Sequence, residues 1–287
     1  MDMKRWILFI TLALAALLTL GCSTLDEKQR AWIFQPSDRA WGGSAALAQD
    51  MDEVWIDFSS TVTGSPARLN GLWLAADGPG AAQAPVLLYL HGARWNVAGS
   101  APRIRRMREL GFSVLAIDYR GFGKSTAGLP SEASAYEDAR AAWDWLALKY
   151  PGRPRYIFGH SLGGAIAIDL AAQVNDEQGT IVEGTFSSIA DLAETMKWGW
   201  LQGSWLPGVM ITQRFESVRK VAKINSPLLV VHGDNDNLIA SALGRKLYDA
   251  AQGRKQFLLV EGGSHFSTMS MGQAQYRQAL AQLFNLR

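Results

Sequence analysis

The sequence predicts an α/β fold in which helices cover both faces of a mainly parallel sheet. Apolar runs of strand length alternate with helical patterns along the 287-residue chain, which is the pattern of βαβ units. The hydrophobic fraction of 48% is high enough for a large core, so one domain of ordinary size is expected. The formal net charge of +2 gives no reason to expect binding to nucleic acid.

Eight segments have the pattern of β-strands, and several are continuously apolar, as in strands that are buried on both faces. They are residues 54–58, 69–75, 85–92, 112–121, 155–159, 180–185, 227–233 and 255–262. Further segments repeat apolar residues at helical spacing. They are residues 103–110, 134–150, 161–174, 241–251 and 271–283. Ser134 and Glu137 predict a capping box. The basic residues of 103–110 favour a solvent-facing helix surface over a patch that binds lipid headgroups.

The N-terminus has the layout of a secretory signal. Basic residues at 4–5 precede an uncharged apolar stretch over 6–20, and Gly21 and Cys22 follow. Cys22 is the single cysteine of the chain, so it cannot form an internal disulfide. The sequence LTLGC around it is similar to the lipobox of bacterial lipoproteins. That resemblance implies that residues 1–21 are a signal peptide.

The same resemblance implies that Cys22 is lipidated, with acyl chains such as palmitate that anchor the chain in a membrane. Ser23 in the next position implies the outer membrane, with the globular part facing the periplasm. An uncleaved N-terminal anchor with an incidental cysteine is the alternative, and it also leaves that part outside the cytoplasm. Residues 22–30 are polar and predict a tether, so the folded domain is expected over 31–287.

The glycines around Ser161 predict a nucleophile elbow. Gly159 and Gly163 form G-x-S-x-G with this serine, at the junction between a predicted strand and a predicted helix. Glycine is needed there because the turn brings two backbones too close for a Cβ atom. The turn presents the hydroxyl at a helix N-terminus, where backbone N–H groups favour negative charge. The sequence therefore predicts Ser161 as the nucleophile.

A serine nucleophile needs a general base, and four histidines are candidates. His265 follows the last predicted strand on a glycine-containing loop, downstream of any acid, and is the predicted base. His91 and His232 each precede a glycine directly after a buried strand, which predicts structural roles. His160 lies inside the elbow, where its ring is expected to point away from the line of attack.

The orienting acid and the oxyanion hole complete the predicted machinery. Asp234 and Asp236 follow the penultimate strand, and Asp236 is the predicted acid because it lies further out on the loop. Asp234 is expected to shape the turn. The oxyanion hole is predicted from two backbone N–H groups, one of Leu162 after the nucleophile and one of Ala93 after the third strand.

Together these motifs resemble the α/β-hydrolase superfamily, and within it the single-domain branch with serine aminopeptidase-like relatives. The motifs are YLHGARWN at 89–96, DYRGFGKS at 118–125, FGHSLGGA at 158–165, HGDND at 232–236 and GGSHF at 262–266. The similarity runs in order from about residue 33 to the C-terminus. It implies the α/β-hydrolase fold and the same roles for Ser161, Asp236, His265, Ala93 and Leu162.

One segment, about 186–224, is much longer than a usual crossover and predicts a lid. Trp198, Trp200 and Trp205 lie in it, and Trp95 lies beside the predicted oxyanion hole. These tryptophans predict either an apolar acyl pocket or closure of the lid against the core, and the sequence does not choose between them.

The predicted function is hydrolysis of acyl esters or thioesters by a serine nucleophile, with no metal and no cofactor. A peptidase of small peptides or aminoacyl amides would use the same triad and would need an acid for the substrate amine. Glu194 and Glu216 are available for that role. A non-catalytic binding protein of the cell envelope is the third possibility, but a scaffold has no need of a strained elbow.

Overall fold

The computed structural model describes residues 23–195 and 210–286. Within them the strands are β1 (Asp52–Ser59), β2 (Pro66–Leu74), β3 (Val86–Leu90), β4 (Ser113–Ile117), β5 (Arg155–His160), β6 (Gly179–Glu183), β7 (Leu228–Gly233) and β8 (Lys255–Val260). They form one eight-stranded sheet in the order β1-β2-β4-β3-β5-β6-β7-β8. The β1–β2 and β2–β4 pairs are antiparallel, and the other pairs are parallel. The predicted mostly parallel sheet of eight strands is confirmed.

Helices cover both faces of this sheet, as predicted. They are α1 (23–34), α2 (Ala101–Glu109), α3 (Glu132–Lys149), α4 (Leu162–Ala171), α5 (Ile189–Thr195), α6 (Ser217–Val221), α7 (Ser241–Ala250), α8 (Thr268–Met271) and α9 (Gln273–Phe284). Buried side chains of α3, α4, α6 and α7 form one hydrophobic core with the sheet. Those of α2, α8 and α9 form a second core on the other face.

The central strand β3 shows why its sequence is continuously apolar. All its residues are buried, and successive side chains point to opposite faces of the sheet. Leu88 and Leu90 belong to the first core, whereas Leu87 and Tyr89 belong to the second. A polar residue at any of these positions would be buried without water, so the alternation typical of one-sided sheets is absent.

The tether predicted over 22–30 is wrong for residues 23–30, which are helical and lie against the domain. Arg30 Nε donates to the carbonyl oxygen of Pro130 at 2.9 Å, and Gln29 Nε2 donates to that of Met210 at 2.7 Å. The helix ends in two buried residues of the first core, Ile33 and Phe34. Burial of these two apolar side chains holds the polar part of the helix on the domain.

The capping box of α3 also differs from the prediction. Ser131 is the N-cap, its hydroxyl accepts from Ser134 N at 3.1 Å, and its own N–H donates to Ser134 Oγ at 2.8 Å. Glu137 instead accepts from Ser60 Oγ and from Arg120 Nη2, both at 2.6 Å. Burial raises the pKa of Glu137, but hydrogen bonds from Ser60 and its neighbours outweigh burial and lower the pKa to about 2.

Two regions singled out in the sequence lie outside the described residues. Residues 1–22 contain the predicted signal peptide and Cys22, and residues 196–209 contain Trp198, Trp200 and Trp205. The predictions for lipidation and for the centre of the lid therefore stay predictions. Over 23–195 and 210–286, no helix combines the length and the apolar character needed to cross a membrane.

Candidate active site

The elbow, residues 159–163, joins the end of β5 to the start of α4. Ser161 has φ 57° and ψ −123°, a strained backbone for a non-glycine residue that costs on the order of 1–3 kcal/mol. A Cβ atom at Gly159 would lie 2.2 Å from the carbonyl oxygen of Gly163, and one at Gly163 would lie 2.1 Å from that of Leu90. The close approach of backbones that the glycines predict is present, and it fixes the serine at the carboxyl edge of the sheet.

His265 and Asp236 meet beside this serine, although they come from different loops. His265 Nδ1 lies 2.8 Å from Asp236 Oδ2, while Asp236 Oδ1 accepts from the N–H groups of Leu238 and Ile239 at 2.9 and 2.8 Å. Burial raises the pKa of Asp236, but hydrogen bonds from His232 and His265 outweigh it and hold the pKa well below its usual value. An ionised carboxylate only accepts, so the proton of His265 is on Nδ1 and Nε2 is available as a base.

A cavity of about 760 Å³ is lined by Ser161, His265 and Asp236 together. Gly184, with φ +56°, lies beneath the acid–base pair, where a Cβ atom would be 3.4 Å from both Asp236 Oδ2 and His265 Nδ1. Among the described residues no hydrogen bond joins Ser161 Oγ to His265. Hydrogen bonds between a nucleophile and its base are often long or poorly aligned in the free enzyme and shorten when substrate binds.

Ala93 and Leu162, the predicted oxyanion donors, line the same cavity. Leu162 is the first residue of α4, so its N–H has no partner within the helix. The loop that carries Ala93 approaches the nucleophile closely because Gly92 precedes it. A Cβ atom at Gly92 would lie 3.0 Å from Ser161 Cβ. The backbones of Ala93 and Leu162 therefore lie next to Ser161, as the predicted oxyanion hole requires.

The oxyanion loop, residues 91–97, is held by the N-terminal segment. Arg94 and Trp95 both have left-handed backbones, with φ of 65° and 56°. Arg94 N donates to the carbonyl oxygen of Phe34 at 2.9 Å, and Asn96 N donates to that of Arg39 at 2.8 Å. These two hydrogen bonds stabilise a conformation that non-glycine residues rarely adopt.

Aromatic residues from three separate parts of the chain line the cavity. Trp95 lies there as predicted, and Trp32, Trp41 and Phe266 join it without having been predicted. These four side chains are 37–49% exposed, and the rings of Trp41 and Phe266 make an edge contact with centroids 4.6 Å apart. No local sequence pattern indicates that Trp32 and Trp41 line the cavity. Both residues precede the first strand, and the folding of the N-terminal segment brings them to the cavity.

The other histidines are buried and contact the site to different degrees. Burial lowers the pKa of His91 to about 4, so this ring is neutral. His160 Nε2 lies 3.0 Å from the carbonyl oxygen of His265, and burial followed by the nearby Arg103 charge holds the His160 pKa well below its usual value. His232 Nε2 lies 3.5 Å from Asp236 Oδ2, so this residue supports the acid in addition to the turn.

Arg103 supports the loop of His265 from below, which corrects the prediction that the basic residues of α2 all face solvent. Its Nε lies 3.0 Å from Glu183 Oε1, and its Nη2 donates to the carbonyl oxygens of His265 and Phe266 at 3.0 and 3.2 Å. The side chains of Arg103 and Glu183 are only 14% and 1% exposed. Tyr276 donates its hydroxyl to the other Glu183 oxygen. This buried cluster connects α2, β6 and α9 to the loop that carries His265.

Comparison with known proteins places these features in context. The family described as serine aminopeptidase, S33, matches residues 81–218. An uncharacterised protein of Mycobacterium tuberculosis is 29% identical over 270 residues, which is 92% of this chain and 90% of that protein. The lysophosphatidylserine lipase ABHD12 of Danio rerio is 35% identical over 182 residues, which is 58% of this chain. This chain spans about half of that lipase, 47% of its length.

Among solved structures, an esterase of Pyrococcus furiosus, Pf2001, superposes with a TM-score of 0.65 at 18% identity. The match covers 87% of this chain and 98% of the esterase. Likeness at this identity shows the fold alone, and the fold agrees with the strand order and the elbow described above. The sheet, the elbow and these similarities together show that the chain has the α/β-hydrolase fold.

Proposed function

We propose that the chain is a serine hydrolase that cleaves carboxylic esters or thioesters through an acyl-enzyme on Ser161. The observation that carries this proposal is the hydrogen-bonded His265–Asp236 pair in one cavity with a strained serine. The names of the relatives also support it, since one is a lysophosphatidylserine lipase and a structural neighbour is an esterase. Neither name fixes the substrate of this chain.

In the acylation step, Ser161 Oγ attacks the ester carbonyl carbon while His265 Nε2 takes the hydroxyl proton. Asp236 holds the ring through Nδ1 and stabilises the imidazolium that forms. The negative charge that develops on the carbonyl oxygen is bound by the N–H groups of Ala93 and Leu162. His265 then donates its proton to the leaving alcohol or thiol, and the acyl group remains on the serine.

In the deacylation step, water enters on the side that the leaving group has vacated. His265 removes a proton from this water, and the resulting hydroxide attacks the acyl carbonyl. The same N–H groups bind the second oxyanion, and collapse of this intermediate returns the proton to Ser161 and releases a carboxylic acid. Each step uses the same three side chains, so loss of the serine abolishes both.

The described part of the cavity wall fits an apolar acyl chain. Phe186, Ile189 and Leu192 line it from the insertion after β6, together with the aromatic residues of the N-terminal segment. Burial of each methylene of an acyl chain is worth about 0.8 kcal/mol. We therefore expect kcat/KM to rise from acetate to medium-length p-nitrophenyl esters, and a flat profile would contradict this assignment.

A peptidase that recognises a substrate amine is less well supported. Glu194 is exposed, and Glu216 pairs with Arg219 at 2.9 Å. Neither is among the described residues that line the cavity, where the carboxylate present is that of Asp236. That carboxylate already accepts from its histidine and two backbone N–H groups, so it is not free to bind an amine.

Labelling with a fluorophosphonate probe tests the proposal directly. The wild-type chain should become covalently labelled and should hydrolyse p-nitrophenyl butyrate, whereas Ser161→Ala should do neither. Ser270→Ala is the matched control, because Ser270 is exposed and its hydroxyl donates to Ser267 O in the same short helix at 2.7 Å. A wild-type chain that resists the probe would favour the non-catalytic envelope protein, and labelling that survives in Ser161→Ala would place the nucleophile elsewhere.

The proposal extends to location, with lipidated Cys22 anchoring the enzyme in the outer membrane. The support is the resemblance of LTLGC to a lipobox. In cells, Cys22→Ala should lose incorporation of radiolabelled palmitate and should no longer carry the activity in the outer-membrane fraction. Unchanged incorporation in this variant would contradict the assignment.

A further inference from the structure

We propose that Arg94 binds an anionic group of the substrate, so that the preferred esters carry a carboxylate or a phosphate near the scissile bond. This inference rests on the proposed function and gives it a substrate class. Arg94 follows the oxyanion donor Ala93 directly and lines the catalytic cavity. A charge at that position faces whatever ester reaches Ser161.

The position of this guanidinium is held from two sides. The backbone N–H of Arg94 donates to Phe34 O at 2.9 Å, with the residue in a left-handed conformation of φ 65°. The side-chain Nε donates to Gln35 Oε1 at 2.8 Å. Within the described residues the two terminal nitrogens make no hydrogen bond. A guanidinium that is oriented through Nε and has both Nη groups available is suited to hold two oxygen atoms of one anion.

The charges around the cavity leave Arg94 without an acidic partner. Arg103 also lines the wall, but Glu183 neutralises it, and Asp236 is occupied by its hydrogen bond to His265. No ion pair involves Arg94 over residues 23–195 and 210–286. Among the described residues that line the cavity, Arg94 is therefore the cationic side chain without a carboxylate partner, and a neutral ester also leaves it without a counter-charge.

The chemistry favours carboxylate or phosphate over other groups. A guanidinium is planar, is permanently charged at physiological pH and matches both anions with paired N–H donors. Arg94 is exposed, so water and salt screen the interaction, and we expect about a 10-fold preference in kcat/KM rather than a larger one. The same screening predicts that the preference falls as ionic strength rises.

Two substrate pairs test the proposal on the full chain. The first pair compares mono-p-nitrophenyl adipate with p-nitrophenyl hexanoate, which differ by a carboxylate on the acyl chain. The second pair compares 1-oleoyl-lysophosphatidic acid with 1-oleoylglycerol, which differ by a phosphate on the alcohol. For each pair the measured quantity is the ratio of the kcat/KM value of the anionic ester to that of the neutral ester. The two arms distinguish an acyl carboxylate from a phosphate on the alcohol.

The variants are Arg94→Met and Arg94→Glu, with Arg254→Met as matched control. Arg254 is an exposed arginine that does not line the cavity. In at least one pair we expect the ratio to be about 10 in wild type and in the control, to fall to about 1 in Arg94→Met and to fall below 1 in Arg94→Glu. A ratio of 1 in both wild-type pairs, or a preference that survives in Arg94→Met, would overturn the proposal.

Failure of this proposal is separable from failure of the proposed function. If neutral esters are hydrolysed and the fluorophosphonate labels Ser161, but neither anionic ester is preferred, only the role of Arg94 is lost. If no ester of either pair is hydrolysed and the probe does not react, the hydrolase assignment itself fails. Circular dichroism of each variant confirms that a changed ratio does not arise from unfolding.

Discussion

Replacing Arg103 by methionine should both destabilise the fold and impair the base. Methionine keeps an unbranched apolar stem but removes the charge that faces Glu183, and it removes the donor to the carbonyl oxygens of His265 and Phe266. The carboxylate of Glu183 then stays fully buried with the hydroxyl of Tyr276 as its remaining donor in the cluster. The loop that carries the base loses its support from below.

The magnitude follows from burial. Removing one partner of a buried ion pair costs about 3–5 kcal/mol, because the other charge is left without compensation. Tyr276 still donates to Glu183, so we expect the lower end of this range, about 3 kcal/mol of unfolding free energy. For activity, a displacement of the imidazole by about 1 Å costs on the order of 100-fold in kcat.

Urea denaturation followed by circular dichroism measures the first effect, and the rate of fluorophosphonate labelling measures the second. Arg106→Met is the matched control, since Arg106 lies on the same helix and its side chain makes no ion pair within the described residues. The double variant Arg103→Met/Glu183→Gln removes the uncompensated charge and should recover much of the stability but not the labelling rate. Arg103→Lys should recover part of the stability, because it keeps the charge without the several donors.

An unfolding free energy of Arg103→Met within about 0.5 kcal/mol of the wild-type value would contradict the stabilising role of the Arg103–Glu183 pair. That role would also be refuted if the double variant were as unstable as the single one, because the buried charge would then not be the cause. A normal labelling rate in a folded Arg103→Met would show that the cluster stabilises the fold without positioning His265.

Three further perturbations have defined outcomes. Asp236→Asn should keep a stable fold but lower kcat for p-nitrophenyl butyrate by roughly 1000-fold or more, because the amide no longer fixes the histidine tautomer; a loss below about 10-fold would contradict its role as the acid. The pKa of Glu137 is lowered to about 2 in the folded state, so its stabilisation is complete above the unfolded pKa of about 4.5 and is lost as the pH falls towards 2. Glu137→Gln should therefore cost about 3 kcal/mol at pH 7 and little near pH 2, as measured by urea denaturation across pH. Gly163→Ala should abolish soluble, active protein because its Cβ would lie 2.1 Å from Leu90 O, whereas Gly80→Ala, with no atom within 4 Å, should behave as wild type.

The strands and the elbow were predictable because their signals are local. A strand that is buried on both faces needs a continuous apolar run, and a turn without room for a Cβ atom needs glycine. Both features can therefore be recognised from a few adjacent residues in the sequence. The role of Asp234 is of the same kind, since its carboxylate accepts from Gly262 N at 2.7 Å and shapes the turn as predicted.

The remaining features depend on contacts between distant parts of the chain. Nothing in the sequence of α2 distinguishes Arg103 from the three other arginines of that helix. Arg103 differs from them because it pairs with Glu183, which lies on a distant strand. The capping box was misassigned for a similar reason. Glu137 has the right spacing from Ser134, but its carboxylate accepts hydrogen bonds from Arg120 and from Ser60 in the loop after β1.

The segment before the first strand has a practical consequence. A protein shortened to residues 43–287 would keep the eight described strands, the elbow and the pair of Asp236 and His265, so we expect its far-ultraviolet circular dichroism spectrum to look normal. It would nevertheless lose Trp32 and Trp41 from the lining of the cavity. It would also lose the carbonyl groups of residues 34 and 39, which accept hydrogen bonds from the backbone of residues 94 and 96. A version shortened for crystallisation should therefore start no later than residue 23. Otherwise, a loss of activity caused by the truncation could be misread as evidence that the wrong substrate was tested.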